Sequence, residues 1–518
     1  MRWRRHIGRA SLRLLRSRIF WAALLISVFA ANAAWCWRNR VNGDVAWYLY
    51  AVTRLSHGAV LYQDIHDFNL PLVYLIYLPF AWLSRLFGLP IQVVMYTGLW
   101  SLVGGVLISL RRTPGMSSIG RRLMLLIIAF AALSLHRLDL GQRDPICALL
   151  FTGLVISTYR RIQRPGGRSG GSWMTILAAA LGIAIKPHFL IPWMLVMAGL
   201  ALHVGVRRAL RMPESWLPPL VSAISWAATL AAFPDYLAMA SMASRYYSGL
   251  NGSLWLFLPL LLPLSVAVAA FLRNTGPGIR SLIQLSALAT TGFAIESLMQ
   301  RKGFPYHLAP SMFWGFITAG LLFVDMLRRS RGRLASWRIS AGTVLGSVGL
   351  AGYSLWSATV PPPPVFARTD VDEFVLKHAR GRMVLSLSTN LWIAFPLILE
   401  AGATNARPDP SLWAMGGMYQ DQVARAMDSP APTAARYHAR AEMSDDERKS
   451  FDQVVSVLTG SRPAVILVQT GPWKQGLGRL QFDFIDYFST DERFREALRS
   501  YKPGPSDARR LALVRPDL

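Results

Sequence analysis

The chain has 518 residues, 53% of them hydrophobic and only 16% charged, with a mean hydropathy of +0.32. Apolar residues exceed what one soluble core needs, which excludes an ordinary soluble enzyme and indicates a polytopic membrane protein. The net charge of +27 does not mark a nucleic-acid binder, because Arg and Lys fall in short loops between apolar runs, the positive-inside arrangement.

Seven arginines, Arg2, Arg4, Arg5, Arg9, Arg13, Arg16 and Arg18, precede the first apolar run at 19–37 and predict a cytoplasmic N-terminus. Ala31-Asn32-Ala33 fits a signal-peptidase site, but cleavage there would detach the first of many spans, so an uncleaved helix is expected. Further runs at 91–110, 122–137, 145–160, 174–206, 215–234, 254–272, 280–299, 306–327 and 338–358 mostly match the ~30 Å hydrocarbon thickness. The run 174–206 is expected to break into two spans at Lys186-Pro187-His188, where a charge and a helix breaker suit a turn. Arg111-Arg112 with Arg121-Arg122, Arg160-Arg161 with Arg164 and Arg168, Arg207-Arg208 with Arg211, Arg273 with Arg280, and Arg328-Arg329 with Arg331 and Arg333 mark cytoplasmic loops. Segments 38–90, 138–144, 186–188, 235–253, 300–305 and everything after about 359 then face outward. Residues 70–88 look apolar enough to span, yet a crossing there would invert the Arg111 loop. With Pro71 and Pro79 they are expected to lie along or dip into the outer interface, giving about eleven spans in all. Cys36 and Cys147 fall near outer span ends, so a disulfide is conceivable, though two buried thiols are the simpler reading.

The proline run 361–364 forms a stiff spacer between an expected membrane domain, 1–360, and an expected soluble domain, 361–518. Within the latter, 383–387 and 464–469 read as buried strands, 511–514 as a last strand, and 370–378, 444–458 and 483–498 as helices, with Ser444 and Glu447 at capping-box spacing. The fold class is therefore an all-α polytopic domain followed by a small α/β domain.

The candidate chemistry lies in the outward segments. Asp44 follows Asn42-Gly43 and leads into Trp47, Tyr48 and Tyr50, a pattern for an interfacial helix. Its carboxylate is either a general base or the cap of that helix. Asp64, His66 and Asp67 follow in the same loop. His136, Arg137, Asp139, Arg143 and Asp144 crowd one short turn, to be read as snorkelling ion pairs or as a metal, acceptor or phosphate site. Lys186, with His188, and Arg301, Lys302, Tyr306 and His307 place cations on the outer side against the loop bias. A lipid phosphate or diphosphate is the simplest anionic partner, with interfacial anchoring the alternative. There is no Walker A, HExxH or CxxC sequence, and the one GxSxG match, at 167–171, sits in a basic loop with no strand before it.

These residues resemble the GT-C glycosyltransferases, specifically the family of bacterial aminoarabinose and galacturonic acid transferases and the protein O-mannosyltransferases. The likeness runs through Asp44, Tyr50-Ala51 with Gly58, Pro71-Leu72-Val73-Tyr74, Leu86-Phe87-Gly88, Arg143-Asp144-Pro145, Ile185-Lys186-Pro187, and Lys302 with Tyr306 and Pro310. It implies transfer, inverting at the sugar, from a polyprenyl-phosphate donor to a periplasmic glycan, lipid or protein at a bacterial inner membrane, with a periplasmic C-terminal domain. It further implies Asp44 and Asp144 as catalytic acids, and Lys186, Arg301, Lys302, His307 and Arg143 as donor-phosphate ligands. Asp64, His66, Asp67, His136 and Asp139 are left as acceptor or metal candidates. Val45 stands where the family often has a second acid, a departure from a paired-carboxylate arrangement, so no cofactor is assigned and a divalent metal is left open. A flippase of lipid-linked sugars and a non-catalytic assembly scaffold are the alternative readings; charges at span ends on one face favour the enzyme over a transporter.

Overall fold

A computed structural model describes residues 2–111, 113–164, 172–276, 278–329, 337–360 and 367–517. Arg112, Arg168, Arg331, Arg333, the 167–171 match and the proline run 361–364 lie outside the described residues.

Each apolar run is helical. The helices are Arg18–Arg38, Ile91–Leu110, Ser118–Phe130, Arg143–Gln163, Ser172–Ala184, Leu190–Val204, Pro213–Ala232, Leu261–Leu272, Arg280–Gln300, Pro305–Arg329 and Trp337–Thr359. Run 174–206 does break at Lys186, with a new turn opening on Pro187, a residue suited to a first helical position. Among the described residues eight helices are long and apolar enough to cross a membrane, or up to nine if Pro213–Ala232 and Tyr236–Tyr246 make one bent span. The expected count was about eleven. Ser172–Ala184, with 13 residues, covers only ~20 Å at 1.5 Å per residue, short of the hydrocarbon thickness. The first helix runs unbroken through 31–33, capped by Ser17, whose hydroxyl accepts the Phe20 N–H at 3.2 Å. Cys36 and Cys147 are free thiols.

The chain divides into two compact units. The first comprises Met1–Asn39, Val93–Ala227 and Gly252–Pro361 and holds most of the long helices. Small hydroxyl groups and one amide tie them: Ser286 to Thr318 at 2.8 Å, Ser134 to Ser354 at 2.8 Å, and Asn32 Nδ2 to the Leu133 carbonyl at 2.5 Å. The last bond meets a carbonyl within a π turn, Ala131–Leu135, which closes the 118–130 helix just before His136.

The second unit comprises Arg40–Gln92, Ala228–Asn251 and Pro362–Leu518, so residues 40–92 pack with the C-terminal residues. Tyr50 Oη accepts the Asn405 N–H at 3.0 Å, and Arg40 pairs with Asp372 and Glu400 at 3.1 and 2.9 Å. The apolar segment 70–88 forms a 17-residue helix, Pro71–Phe87, opened by Pro71 and stopped by Gly88 at φ +64°. The soluble part is α/β. Its five-stranded sheet runs Thr404–Asn405, Met383–Leu387, Val465–Gln469, Arg510–Val514, Lys502–Ser506, the first three parallel and the last two antiparallel. Val384 registers with Val465, and Val465 with Val514. Leu385, Ile466 and Val468 pack under Phe451, Val454, Phe484 and Phe494. Only half the expected capping box forms: Ser444 accepts the Glu447 N–H at 3.2 Å, while the Glu447 carboxylate takes the Tyr419 and Tyr487 hydroxyls, both at 2.9 Å.

Candidate functional site

In the first unit three of the expected residues meet, drawn from three separate segments. Asp144 sits in the first turn of the Arg143–Gln163 helix, where a carboxylate is favoured by the helix dipole, and is fully buried. Lys186, extended at φ −141° as the residue before a proline must tend to be, sends its ammonium to both Asp144 oxygens at 2.7 and 2.9 Å. His307, in the first turn of the Pro305–Arg329 helix, places Nδ1 2.7 Å from Asp144 Oδ2. An ionised carboxylate can only accept, so the Nδ1 facing it carries a proton, while Nε2 is buried without a hydrogen-bond partner. The Lys186 ammonium also lies 3.4 Å from Gln300 Oε1 and 5.8 Å from the Tyr306 ring centre. Arg143, buried, adjoins this cluster in sequence.

Glu296 was not singled out in the sequence. It is fully buried, its Oε1 accepts from Gln300 Nε2, and it lies 3.9 Å from His188 Nε2. The signal that marks it is a lone acid inside the apolar run 280–299. The other late cations diverge. Lys302 is buried, and burial pushes its ammonium down to about 8, whereas Arg301 is exposed. Arg301 closes the Arg280–Gln300 helix at φ +54°, a left-handed conformation where glycine is the unstrained choice. In the turn at 136–142, Arg137 stacks 4.1 Å over Trp35. The Asp139 and Gln142 N–H groups there close local bonds to the His136 and Asp139 carbonyls, at 3.0 and 2.9 Å.

In the second unit, Asp44 is the second residue of the Gly43–Ser56 helix. The capping role, one of the two readings of Asp44, belongs to Asn42, whose Oδ1 accepts the Asp44 N–H at 3.0 Å; the half-buried Asp44 carboxylate lies in the first turn. Asp67 is structural in its bonding: it accepts from Trp47 Nε1 at 2.7 Å, Tyr74 Oη at 2.6 Å, Asn69 Nδ2 at 2.7 Å and the Asn69 N–H at 3.1 Å. Those bonds fasten Gly43–Ser56 to Pro71–Phe87. Asp64 is exposed and accepts the Val60 N–H at 2.7 Å, closing a local turn. His66 Nδ1 lies 3.6 Å from Asp409 Oδ1. Among the described residues no group of three or more His, Cys, Asp or Glu side chains is placed to hold a metal ion.

No protein-family model and no curated protein matches the sequence. Solved structures do. ArnT from Cupriavidus metallidurans in the apo state aligns at a TM-score of 0.58 and 13% identity, covering 95% of this chain and 97% of that one. The same protein bound to undecaprenyl phosphate aligns at 0.53 and 13% identity, over 96% and 98%. The arabinofuranosyltransferase AftD from Mycobacteria gives 0.46 at 13% identity, over 96% of this chain and 40% of that much longer one. The fold assignment rests on the ArnT alignments alone. The chain thus has the fold of ArnT, a many-helix membrane domain carrying a small C-terminal α/β domain.

Proposed function

We propose that the protein is a GT-C glycosyltransferase of the bacterial inner membrane, moving a sugar from a polyprenyl-phosphate donor to a lipid, glycan or protein on the periplasmic side, with inversion. The observation that carries this reading is the fold shared along nearly the whole of both chains with ArnT, a protein solved with undecaprenyl phosphate bound. In this reading Asp44 takes the proton of the acceptor hydroxyl as its oxygen attacks the anomeric carbon, and the lipid phosphate departs. Asn42, not Asp44, fills the capping role. Arg143, Lys186, Arg301, Lys302 and His307 offset the phosphate charge. Asp144 holds Lys186 and His307 in place rather than meeting the acceptor, which suits its complete burial. The strained backbone retained at Arg301, where glycine would be cheaper, supports a working side chain there.

The test is lipid analysis followed by turnover. Mass spectrometry of lipid carried by the purified protein should find a polyprenyl phosphate or its sugar conjugate. Asp44→Asn in reconstituted vesicles should lower transfer by roughly 10²-fold or more while undecaprenyl phosphate still binds. Near-normal turnover of that variant would remove Asp44 from the role of base, and substrate crossing the bilayer without a new glycosidic bond would favour a flippase.

A further inference from the structure

Within the second unit the structure opens a cavity of about 440 Å³, walled by the Tyr236–Tyr246 helix, the loop around 407–418 and the helix Asp445–Ser456. None of the candidate catalytic acids lines it; of the residues singled out in the sequence only His66 does. Its wall carries Arg407, which is 7% exposed. One guanidinium nitrogen, Nη2, donates to Asp409 Oδ2 at 3.0 Å and to Ser450 Oγ at 3.3 Å. The other two, Nε and Nη1, are buried with no hydrogen-bond partner. Leaving donors of a buried cation unmet is costly, so the guanidinium keeps unspent hydrogen-bonding capacity beside the cavity. The geometry is held open. Asn405 Nδ2 bonds the Arg407 and Asp409 carbonyls at 2.8 and 2.7 Å, fixing the loop, and the His66 N–H bonds the Pro408 carbonyl at 3.0 Å.

The charge and the floor define the ligand. Of the cations at the wall, Arg245 is matched by Asp446 at 2.7 Å and Arg407 in part by Asp409, while Lys449 is exposed with no described partner. The lining also includes Met239, Met242, Met415 and Met418, adaptable apolar side chains that conform to irregular ligands. An unpaired guanidinium edge is built for bidentate contact with a carboxylate or phosphate. We propose that this cavity is a binding site for a molecule bearing a phosphate or carboxylate on a partly apolar body, its oxyanion drawn to the Arg407 guanidinium in the wall and screened by Lys449. That this molecule is the sugar acceptor rests on the transferase reading; the binding site itself does not.

The test uses the full-length protein in nanodiscs and measures binding without turnover, by equilibrium dialysis against radiolabelled inorganic phosphate and glucuronate. At least one of the two should bind, and Arg407→Gln should weaken it tenfold or more. Lys449→Gln should weaken it a few-fold. Because Arg407 is buried, Ala238→Trp is the companion variant: Ala238 is exposed on the rim, so tryptophan fills the cavity from outside and should abolish binding with the melting temperature unchanged. Displacement of the bound probe by phosphatidate in the disc would identify a lipid-borne oxyanion, and its persistence a water-borne one; either outcome keeps the site. Neither probe binding, or undiminished binding in both Arg407→Gln and Ala238→Trp, would overturn the proposal. Binding in a protein without transferase activity would leave the site standing and remove only the acceptor assignment.

Discussion

Lys186→Met tests whether the buried cluster around Asp144 is held by charge. The lysine contributes two contacts to one carboxylate, at 2.7 and 2.9 Å, with Asp144 wholly inaccessible to solvent. At 2.7 Å and an effective dielectric near 20, the gross attraction is about 6 kcal/mol, most of which offsets the cost of desolvating the two ions. Removing one partner therefore costs more than the pair is worth: about 3–5 kcal/mol for Lys186→Met, and a comparable amount for Asp144→Asn, which strands the ammonium. The double variant strands neither, and His307 keeps a bond to residue 144. It should be more stable than the sum of the single losses by about 2 kcal/mol or more. Reversible unfolding in mixed micelles, run as a double-mutant cycle, reads that difference. Single losses that add to within about 0.5 kcal/mol would refute the charge-paired reading.

Stability should also fall in acid through Asp372. Burial alone would push its carboxyl up, but Arg510 at 2.8 Å and Arg40 at 3.1 Å outweigh it and hold it at about 2 rather than 3.8. A carboxyl held low in the folded state stabilises above its unfolded value, so about 2 kcal/mol should be present above pH 4 and lost as pH falls from about 4 to about 2. Chemical unfolding of the wild type and Asp372→Asn should therefore show a gap that closes over that interval, and a constant gap would contradict it. Lys302 predicts the opposite direction for binding. With its ammonium at about 8, affinity for undecaprenyl phosphate should decline as pH rises through 8 instead of holding to about 10, and Lys302→Arg should flatten the profile. Titration by tryptophan quenching at pH 7, 8 and 9 reads this. Gly292→Val should destabilise by about 1–3 kcal/mol, because a Cβ there would lie 2.4 Å from the Pro192 backbone; an unchanged melting temperature would deny that close helix contact.

The helices were legible because burial in lipid leaves a continuous apolar run, and the soluble strands Met383–Leu387 and Val465–Gln469 because both faces are covered. Legibility failed where a local signal overrode pattern. The expected single helix 483–498 is two, because Asp483 and Asp491 each cap a helix of their own. Strand Lys502–Ser506 went unseen because Pro503 and Pro505 read as breakers; at the sheet edge a missing N–H costs little.

The site shows the same division between what is local and what is closed in space. Asp44 was open to two readings, base or cap, and only the folded geometry gives the capping task to Asn42. Asp67 was an acceptor or metal candidate in the same loop, yet its four bonds to Trp47, Asn69 and Tyr74 make it an anchor, and nothing in residues 64–67 announces which acid will be saturated. Asp144, Lys186 and His307 were each flagged because ionisable residues near membrane depth are costly, but that they share one carboxylate follows from three helix starts meeting. Glu296 is the instructive omission. Read by composition it was one acid in an apolar run; read by cost it had to pair or to serve. In the structure it lies beside Gln300 and His188, extending the Asp144 group by a second buried carboxylate through the Lys186 to Gln300 contact. A carboxylate deep in such a run thus marks a site by its position alone, since a span sheds an acid that neither pairs nor works at that depth.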